Sequence, residues 1–299
     1  MKISKNISVK GLCHLVLIVF VMVSVQNCST SKNAKSASES RLWEYKTNFT
    51  NLYSWDDEIA LGKDVQTKQI AAAEAEGVEI DPKSTAALKK RIEKIAARLT
   101  KVSDHPELPY EVHIYDQPEV ANAFCMPGGK IGFFTGIFDE KNGLISEASD
   151  DEIAAVLGHE IAHATLRHVT RHMTTMQSAG LAGALVGATI GASSGSTSQD
   201  VFNQAFNVSA SLYFPSYSRK HETEADKVGF YYLTKAGFDP QAAVNIWERL
   251  DKKLAKDGKG SSDFFSSHPS SGKRADFLAG YLPDARLVQQ KQTGVVDAK

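Results

Sequence analysis

The sequence contains little cysteine, and the cysteines it has do not suit a disulfide framework. Cys13 lies in an apolar N-terminal segment, Cys28 follows that segment, and Cys125 stands alone in an apolar run. Exported proteins that depend on disulfides carry paired cysteines, and closed structural zinc sites are usually rich in cysteine. A hydrophobic core must therefore supply the stability, and Cys125 is predicted to be a small buried part of it.

The chain also lacks an excess of positive charge. It has 34 Lys and Arg residues against 35 Asp and Glu residues, and a formal net charge of -1. Residues 1–27 hold three of the lysines and no acid, so the rest of the chain is mildly acidic. A mildly acidic chain without a basic cluster gives no reason to expect nucleic acid as a partner.

No apolar run reaches the roughly 18 residues that a membrane-spanning helix needs. The run Leu12–Val25 follows three lysines and is about as long as the core of a signal peptide. Residues 1–27 resemble a bacterial lipoprotein signal, although Asn27 stands where such signals usually have a small residue. The resemblance implies that Cys28 is lipidated, with simple secretion or an uncleaved anchor as alternatives.

The predicted organisation follows from this N-terminal signal. Residues 1–27 form the signal peptide, 28–54 the lipid anchor and a polar tether, 55–285 one folded domain, and 286–299 a C-terminal tail. Ser29 directly after the lipidated cysteine is typical of outer-membrane lipoproteins. The expected location is therefore the bacterial cell envelope, with the protein anchored in the outer membrane and facing the periplasm.

The hydrophobic spacing predicts few early strands and many later helices. Strands are predicted at Tyr110–Tyr115 and Lys130–Thr135, and the turn Pro127–Gly129 precedes the second. The predicted helices cover residues 55–77, 84–99, 149–172, 219–236, 240–254 and 273–281. The apolar, glycine-rich segment 180–192 is predicted to be a partly buried helix or a flap. This is an α+β pattern, mostly helical with a small early sheet.

Two histidines four residues apart indicate a metal site on the helix predicted to begin after Ser149. His159 and His163 share one helix face, the spacing that lets two imidazoles bind one zinc ion. Glu160 is rotated by one residue and can act as general base toward a water molecule. Ser149 and Glu152 are predicted to form a capping box at the start of this helix.

The third ligand is expected from a second helix. The longer pattern with glycine and a third histidine fails, because Leu166 and Val169 occupy those positions. At 3.6 residues per turn, His168 and His172 project to the far side of the helix, so both are predicted to be surface or core histidines rather than ligands. In the segment from Ser218 to Asp226, Glu222 is the predicted third ligand. Asp226, one turn later, is the predicted partner of the free N–H of a ligand histidine.

In these and further motifs, the sequence resembles a known family of zinc metalloendopeptidases of the gluzincin type. The family includes the CAAX prenyl endopeptidases, the mitochondrial Oma-type protease and several bacterial periplasmic lipoproteins. Four ordered matches carry the resemblance, over about residues 55–281: Gly158–His163 followed by Arg167-His168; Ser218-Arg219 with Glu222–Asp226; Asn122–Gly129; and Ser267-His268-Pro269 with Arg274. Cys125, where the family commonly has alanine, is the visible departure.

The resemblance implies one zinc ion per chain and further roles in the same cleft. Asn122 would steady the developing oxyanion, and the strand and turn that follow it would pair with the backbone of an extended polypeptide substrate. His268 would lie near the zinc, where it either stabilises the tetrahedral intermediate or occupies the fourth position in a resting enzyme. Arg274 would be a structural charge partner.

Three functions remain in competition at the level of sequence. The first is a zinc metalloendopeptidase that cleaves unfolded or misassembled envelope proteins, motivated by the ligands, by Glu160 and by the membrane tether. The second is a lipoprotein scaffold with purely structural zinc, which the lack of cysteine ligands disfavours. The third is a hydrolase that uses another metal at the same ligands.

Overall fold

A computed structural model describes residues 49–140, 143–189, 217–257, 268 and 273–293, with side chains except those of 180–189 and 253–257. The predicted signal peptide, Cys28 and most of the tether lie outside these residues. The helices in this part of the chain were compared with the length and apolar character that a bilayer requires. None of them could cross a membrane.

The described chain is mostly helical, with one small sheet in its first half. The helices are α1 (Trp55–Ala75), α2 (Ala86–Lys101), α3 (Asp150–Thr165), α4 (His168–Thr189), α5 (Arg219–Lys235), α6 (Gln241–Asp257), α7 (Arg274–Ala279) and α8 (Leu282–Thr293). The strands are β1 (Glu111–Tyr115), β2 (Ala123–Met126) and β3 (Lys130–Phe134). This architecture confirms the predicted α+β class.

The sheet has the order β1-β3-β2, so β2 is an edge strand. Strand β3 pairs in parallel with β1 and antiparallel with β2. The tight turn between β2 and β3 contains Gly128 and Gly129 with φ of 69° and 80°, a left-handed conformation that glycine adopts without steric cost. The predicted strands correspond to β1 and β3, whereas β2 was not predicted separately. Strand β2 also packs against helix α3.

Helix α3 lies at the centre of the main core, packed against α2, α5, α6 and the edge strand β2. Its apolar residues are buried on all sides, including Ile153, Leu157 and Ile161. A helix that is apolar nearly all round is expected to be central rather than amphipathic. The closest approach is to α5, where Gly158 and Gly229 face each other. Since neither has a side chain, the two backbones can touch.

The prediction of one helix from Ser149 to about His172 is wrong. Helix α3 ends at Thr165, and Arg167 adopts φ of 60° before α4 begins at His168. This left-handed residue is held by its side chain, which donates hydrogen bonds to the buried carboxylate of Glu58 and to the Tyr53 carbonyl. The guanidinium also stacks on the ring of Trp55. Contacts with residues 53–58 therefore stabilise a helix break at which the sequence has no glycine or proline.

Two end effects also differ from expectation. The Ser149 hydroxyl accepts from the Glu152 N–H at 3.2 Å, but the Glu152 carboxylate accepts from the Ser146 N–H, so only half of the capping box forms. Near the C-terminus, helix α8 continues across residue 285, where the folded domain was predicted to end. Val288 is buried in the core, and the Gln289 amide donates to backbone carbonyls at the end of α5.

Candidate metal centre

Two helices bring the candidate ligands together because each begins with a local cap. The Ser218 hydroxyl accepts from the His221 N–H at 3.2 Å and fixes the start of α5, which places Glu222 in its first turn. On α3, His159 and His163 are one turn apart and face α5 across the glycine contact. The spacing predicted from sequence thus becomes a shared pocket between helices.

Four buried side chains form a group that could hold a metal ion. His159, His163, Glu222 and His268 each offer one ligand atom, and these four atoms lie within 4.8 Å of one another. The Nε2 atoms of the two helix histidines are 3.1 Å apart, and each lies about as close to the Glu222 carboxylate, at 3.5 and 3.4 Å. Nδ1 of His268 is 3.2 Å from the same carboxylate.

The residues present suit zinc by the chemistry of their donors. Imidazole nitrogens and a carboxylate are the ligands of catalytic zinc sites, and no sulfur is needed. The convergence of several nitrogen and oxygen donors within 4.8 Å leaves them in unfavourable mutual contact unless a cation or protons separate them. Among the described residues this is the one group of its kind.

The predicted partners of the ligands lie directly behind them. Nδ1 of His159 is 3.0 Å from a carboxylate oxygen of Asp226, so a proton on Nδ1 would leave Nε2 free to bind metal. Arg274 is buried and bridges the two acids of α5, with its Nε 2.6 Å from Asp226 and Nη1 2.8 Å from Glu222. Its guanidinium also stacks at 3.3 Å on the ring of Trp247.

These contacts shift the protonation of the ligands. Burial alone would raise the pKa of Glu222, but His268 and His159 hold it far below its ordinary value. Burial alone would lower the pKa of His159, yet hydrogen bonds to Asp226 and Glu222 raise it to about 9. His163 lies near Glu222 but has no contact like that of His159 with Asp226, and burial depresses the pKa of His163 well below the usual range. The carboxylate Glu222 is therefore kept ionised, as a ligand must be.

Glu160 is buried beside this group without belonging to it. Its side chain is 1% exposed, and Oε1 accepts no hydrogen bond from the described residues. Nε2 of His268 lies 3.5 Å from that oxygen. Burial raises the pKa of Glu160 above its usual value. A carboxylate in this state is suited to accept a proton and hold it.

Asn122, the remaining predicted residue, lies next to the edge strand β2. Asn122 is buried just before β2, where its side-chain oxygen accepts from the Ala123 N–H at 2.9 Å and its carbonyl accepts from Phe134. These bonds anchor the edge strand, and the oxyanion role of Asn122 stays a prediction. Cys125 on the same strand is buried, as expected.

Four side chains around the site were not identified from the sequence. Tyr217 stacks on His163 with ring centroids 3.8 Å apart, and Trp247 lies edge-on to His159. Nδ1 of His168 lies 2.9 Å from Nδ1 of His163, and His168 is bonded in turn to Glu224. Glu224 could have been suspected, since it lies inside the Glu222–Asp226 motif. The others depend on contacts between distant segments.

Comparison with known proteins agrees with this geometry. Residues 82–282 match the model of peptidase family M48. The mitochondrial metalloendopeptidase OMA1 of Schizosaccharomyces pombe is 35% identical over 199 residues, which cover 67% of this chain and 54% of that protein. The metalloprotease YcaL of Escherichia coli is 29% identical over 63% of this chain and 68% of its own length. The β-barrel assembly-enhancing protease of Yersinia pestis is 26% identical over 78% and 43%.

The chain spans about half the length of the first of these relatives, so the comparison identifies a domain rather than a whole protein. The family match covers two thirds of the chain and includes all the candidate ligands. It also agrees with the fold and with the donor chemistry of the buried group. The chain therefore belongs to peptidase family M48, the zinc-dependent metalloproteases that its sequence motifs resemble.

Proposed function

We propose that this chain is a zinc metalloendopeptidase that hydrolyses unfolded or misassembled proteins of the bacterial cell envelope. The observation that carries the proposal is Glu160, a buried carboxylate with an unsatisfied oxygen beside a group of metal donors. A purely structural zinc site does not require such a residue, and no interaction would then compensate for the free-energy cost of burying its carboxylate. A general base explains both its burial and its position.

Different residues of the site have different roles in the proposed hydrolysis. His159, His163 and Glu222 would hold the zinc ion, which when bound supplies positive charge that acidifies water and polarises a carbonyl. Glu160 accepts the proton of the attacking water and returns it to the leaving amine. Asp226 holds the proton of His159 on Nδ1, and Arg274 neutralises the charge that the two acids concentrate at the site.

An extended polypeptide is the substrate class that suits the edge strand β2 beside the metal centre. Strand β2 pairs with β3 on one side only within the described sheet, and it packs against the helix that carries His159 and Glu160. Addition of a substrate strand at such an edge uses backbone hydrogen bonds and demands little of the side chains. This mode favours unfolded chains, since a folded protein seldom offers a free extended segment.

Location and partners are part of the same proposal. Lipidation at Cys28 would tether the domain to the outer membrane, facing the periplasm, with the membrane as its partner. The name of the Yersinia pestis relative, a β-barrel assembly-enhancing protease, supports a role near outer-membrane assembly. Replacement of Glu160 by Gln in the anchored protein would allow substrates to be trapped and identified in the envelope.

The test of the proposed function is metal-dependent cleavage of an unfolded protein. We expect the protein to cleave casein, to lose this activity after treatment with a chelator, and to regain it with zinc. A stably folded protein of similar size should be cut far more slowly. Equal cleavage in the presence of excess chelator, with zinc shown to be absent, would contradict the proposal.

His268 has two possible roles, and the geometry favours one. Its Nδ1 approaches Glu222 and its Nε2 approaches Glu160, so it lies within the donor group as a fourth member. A catalytic zinc site needs an open position, so His268 bound as a fourth ligand would keep the enzyme in a resting state. We expect His268→Ala to raise casein cleavage several-fold at full zinc occupancy. A loss of about 10²-fold or more would instead assign His268 to stabilisation of the intermediate.

A further inference from the structure

A second histidine lies directly behind the ligand His163. His168 is completely buried, and its Nδ1 is 2.9 Å from Nδ1 of His163. On its other side, Nε2 of His168 is 3.2 Å from a carboxylate oxygen of Glu224. The same oxygen accepts a hydrogen bond of 2.7 Å from Arg171. His168 and Glu224 therefore form a continuous line of contacts from the ligand His163 to Arg171.

The line of hydrogen bonds has one consistent assignment of protons. His163 points Nε2 into the donor group, 3.4 Å from Glu222, so its metal-binding form carries the proton on Nδ1. That N–H can donate only to an unprotonated Nδ1 of His168. His168 must then hold its own proton on Nε2, where the Glu224 carboxylate accepts it. Each atom in the line has its required role without an additional charge.

The break between α3 and α4 makes this contact possible. Residues 163 and 168 are five apart, so an unbroken helix would turn them about 140° away from each other. The left-handed conformation of Arg167 reverses this and returns His168 to the face of His163. The buried ion pair of Arg167 with Glu58 stabilises that conformation. The position of His168 therefore depends on the packing of α1.

We propose that His168, oriented by Glu224, is a positioning residue that fixes the metal-binding tautomer of His163. The inference rests on the proposed metal site. It gives His163 what Asp226 gives His159, since each ligand then has a hydrogen-bond acceptor at Nδ1. Partners of this kind typically change metal affinity by about 10- to 100-fold when they are removed.

Zinc affinity, measured by competition with a chromogenic chelator, tests this role without reference to proteolysis. His168→Leu removes the hydrogen-bond acceptor and introduces an apolar side chain of similar size. His168→Asn retains an amide oxygen close to the place of Nδ1. His172→Leu is the matched control, because His172 lies on the same helix and is exposed. Melting of each metal-free variant shows whether the fold is intact.

We expect His168→Leu to weaken zinc binding about 10- to 100-fold, His168→Asn to restore most of the loss, and His172→Leu to bind like the unsubstituted protein. Unchanged affinity in His168→Leu would overturn the inference and leave the ligand assignment intact. Equal weakening in the leucine and asparagine variants would also overturn it, in favour of a packing role. Failure of the unsubstituted protein to bind zinc would instead contradict the proposed metal site.

Glu224→Gln keeps the test decisive if His168→Leu does not fold. The glutamine amide can donate to Nε2 of His168, which moves the proton of His168 to Nδ1 and opposes the N–H of His163. We expect zinc binding to weaken about tenfold or more. Arg171→Gln controls for the lost ion pair, since it leaves the Glu224 carboxylate in place. Affinity in Glu224→Gln equal to that of Arg171→Gln would overturn the inference.

Discussion

Replacement of Glu160 by glutamine is expected to lower kcat/KM for casein by about 10²- to 10⁴-fold, the usual contribution of a general base. Zinc content should remain one ion per chain, because Glu160 lies beside the donor group and does not belong to it. Glutamine has nearly the same shape but cannot accept the proton of water. Metal analysis and steady-state kinetics of the same preparation measure both quantities.

Two further substitutions separate this effect from its alternatives. Glu222→Gln should lose zinc as well as activity, because a neutral amide is a poor ligand and Arg274 would lose one of its two ion pairs. Glu147→Gln makes the same chemical change at an exposed position before α3 and should alter neither quantity. Undiminished cleavage by Glu160→Gln at full zinc occupancy would exclude Glu160 as the base and return the structural-zinc hypothesis to consideration.

The predictions that agree with the structure concern residues whose geometry is local. His159 and His163 share a face because four residues make about one helical turn. Glu222 and Asp226 follow the same rule, and Ser218 marks the start of their helix. Strands β1 and β3 were visible for a similar reason, since their apolar residues and the glycine turn lie close together in the sequence.

The prediction failed where distant contacts decide the local conformation. Helical spacing favoured one helix through Arg167, and nothing near that residue signals a break. The left-handed backbone is stabilised by Glu58, more than 100 residues earlier. Such a conformation costs about 1–3 kcal/mol and persists where several surrounding contacts fix it, as the contacts of Arg167 with Glu58, Tyr53 and Trp55 do here. His168 was therefore expected on the far side of the helix, away from the ligand that it contacts.

A second large effect is expected from the glycine contact between α3 and α5. A methyl group on Gly229 would lie 2.7 Å from the backbone carbon of Gly158 and from the backbone nitrogen of His159. These are backbone atoms, so no side-chain rotation relieves the contact and the helices must move apart. Helix propensity alone would make Gly229→Ala more stable by about 1 kcal/mol. Overpacking costs about 1–3 kcal/mol, so we expect a net loss of stability.

The loss should extend to the metal site, because the two helices carry its ligands. His159 adjoins the contact itself, and Glu222 lies two turns before Gly229 on α5. Metal sites require their ligands to within about 0.5 Å, so we expect zinc affinity to fall on the order of tenfold. The rise in melting temperature on addition of zinc should be correspondingly smaller than in the unsubstituted protein.

Gly280→Ala is the matched control for this experiment. Gly280 is exposed at the end of α7, and a methyl group there would lie 3.4 Å or more from its neighbours, an ordinary contact. It should leave both the melting temperature and the zinc-dependent rise unchanged. If Gly229→Ala left the melting temperature and the zinc-dependent rise unchanged, as expected for Gly280→Ala, the contact between α3 and α5 would not be as close as the structure shows. If it lost stability but kept its zinc affinity, the close contact would support the fold without positioning the ligands.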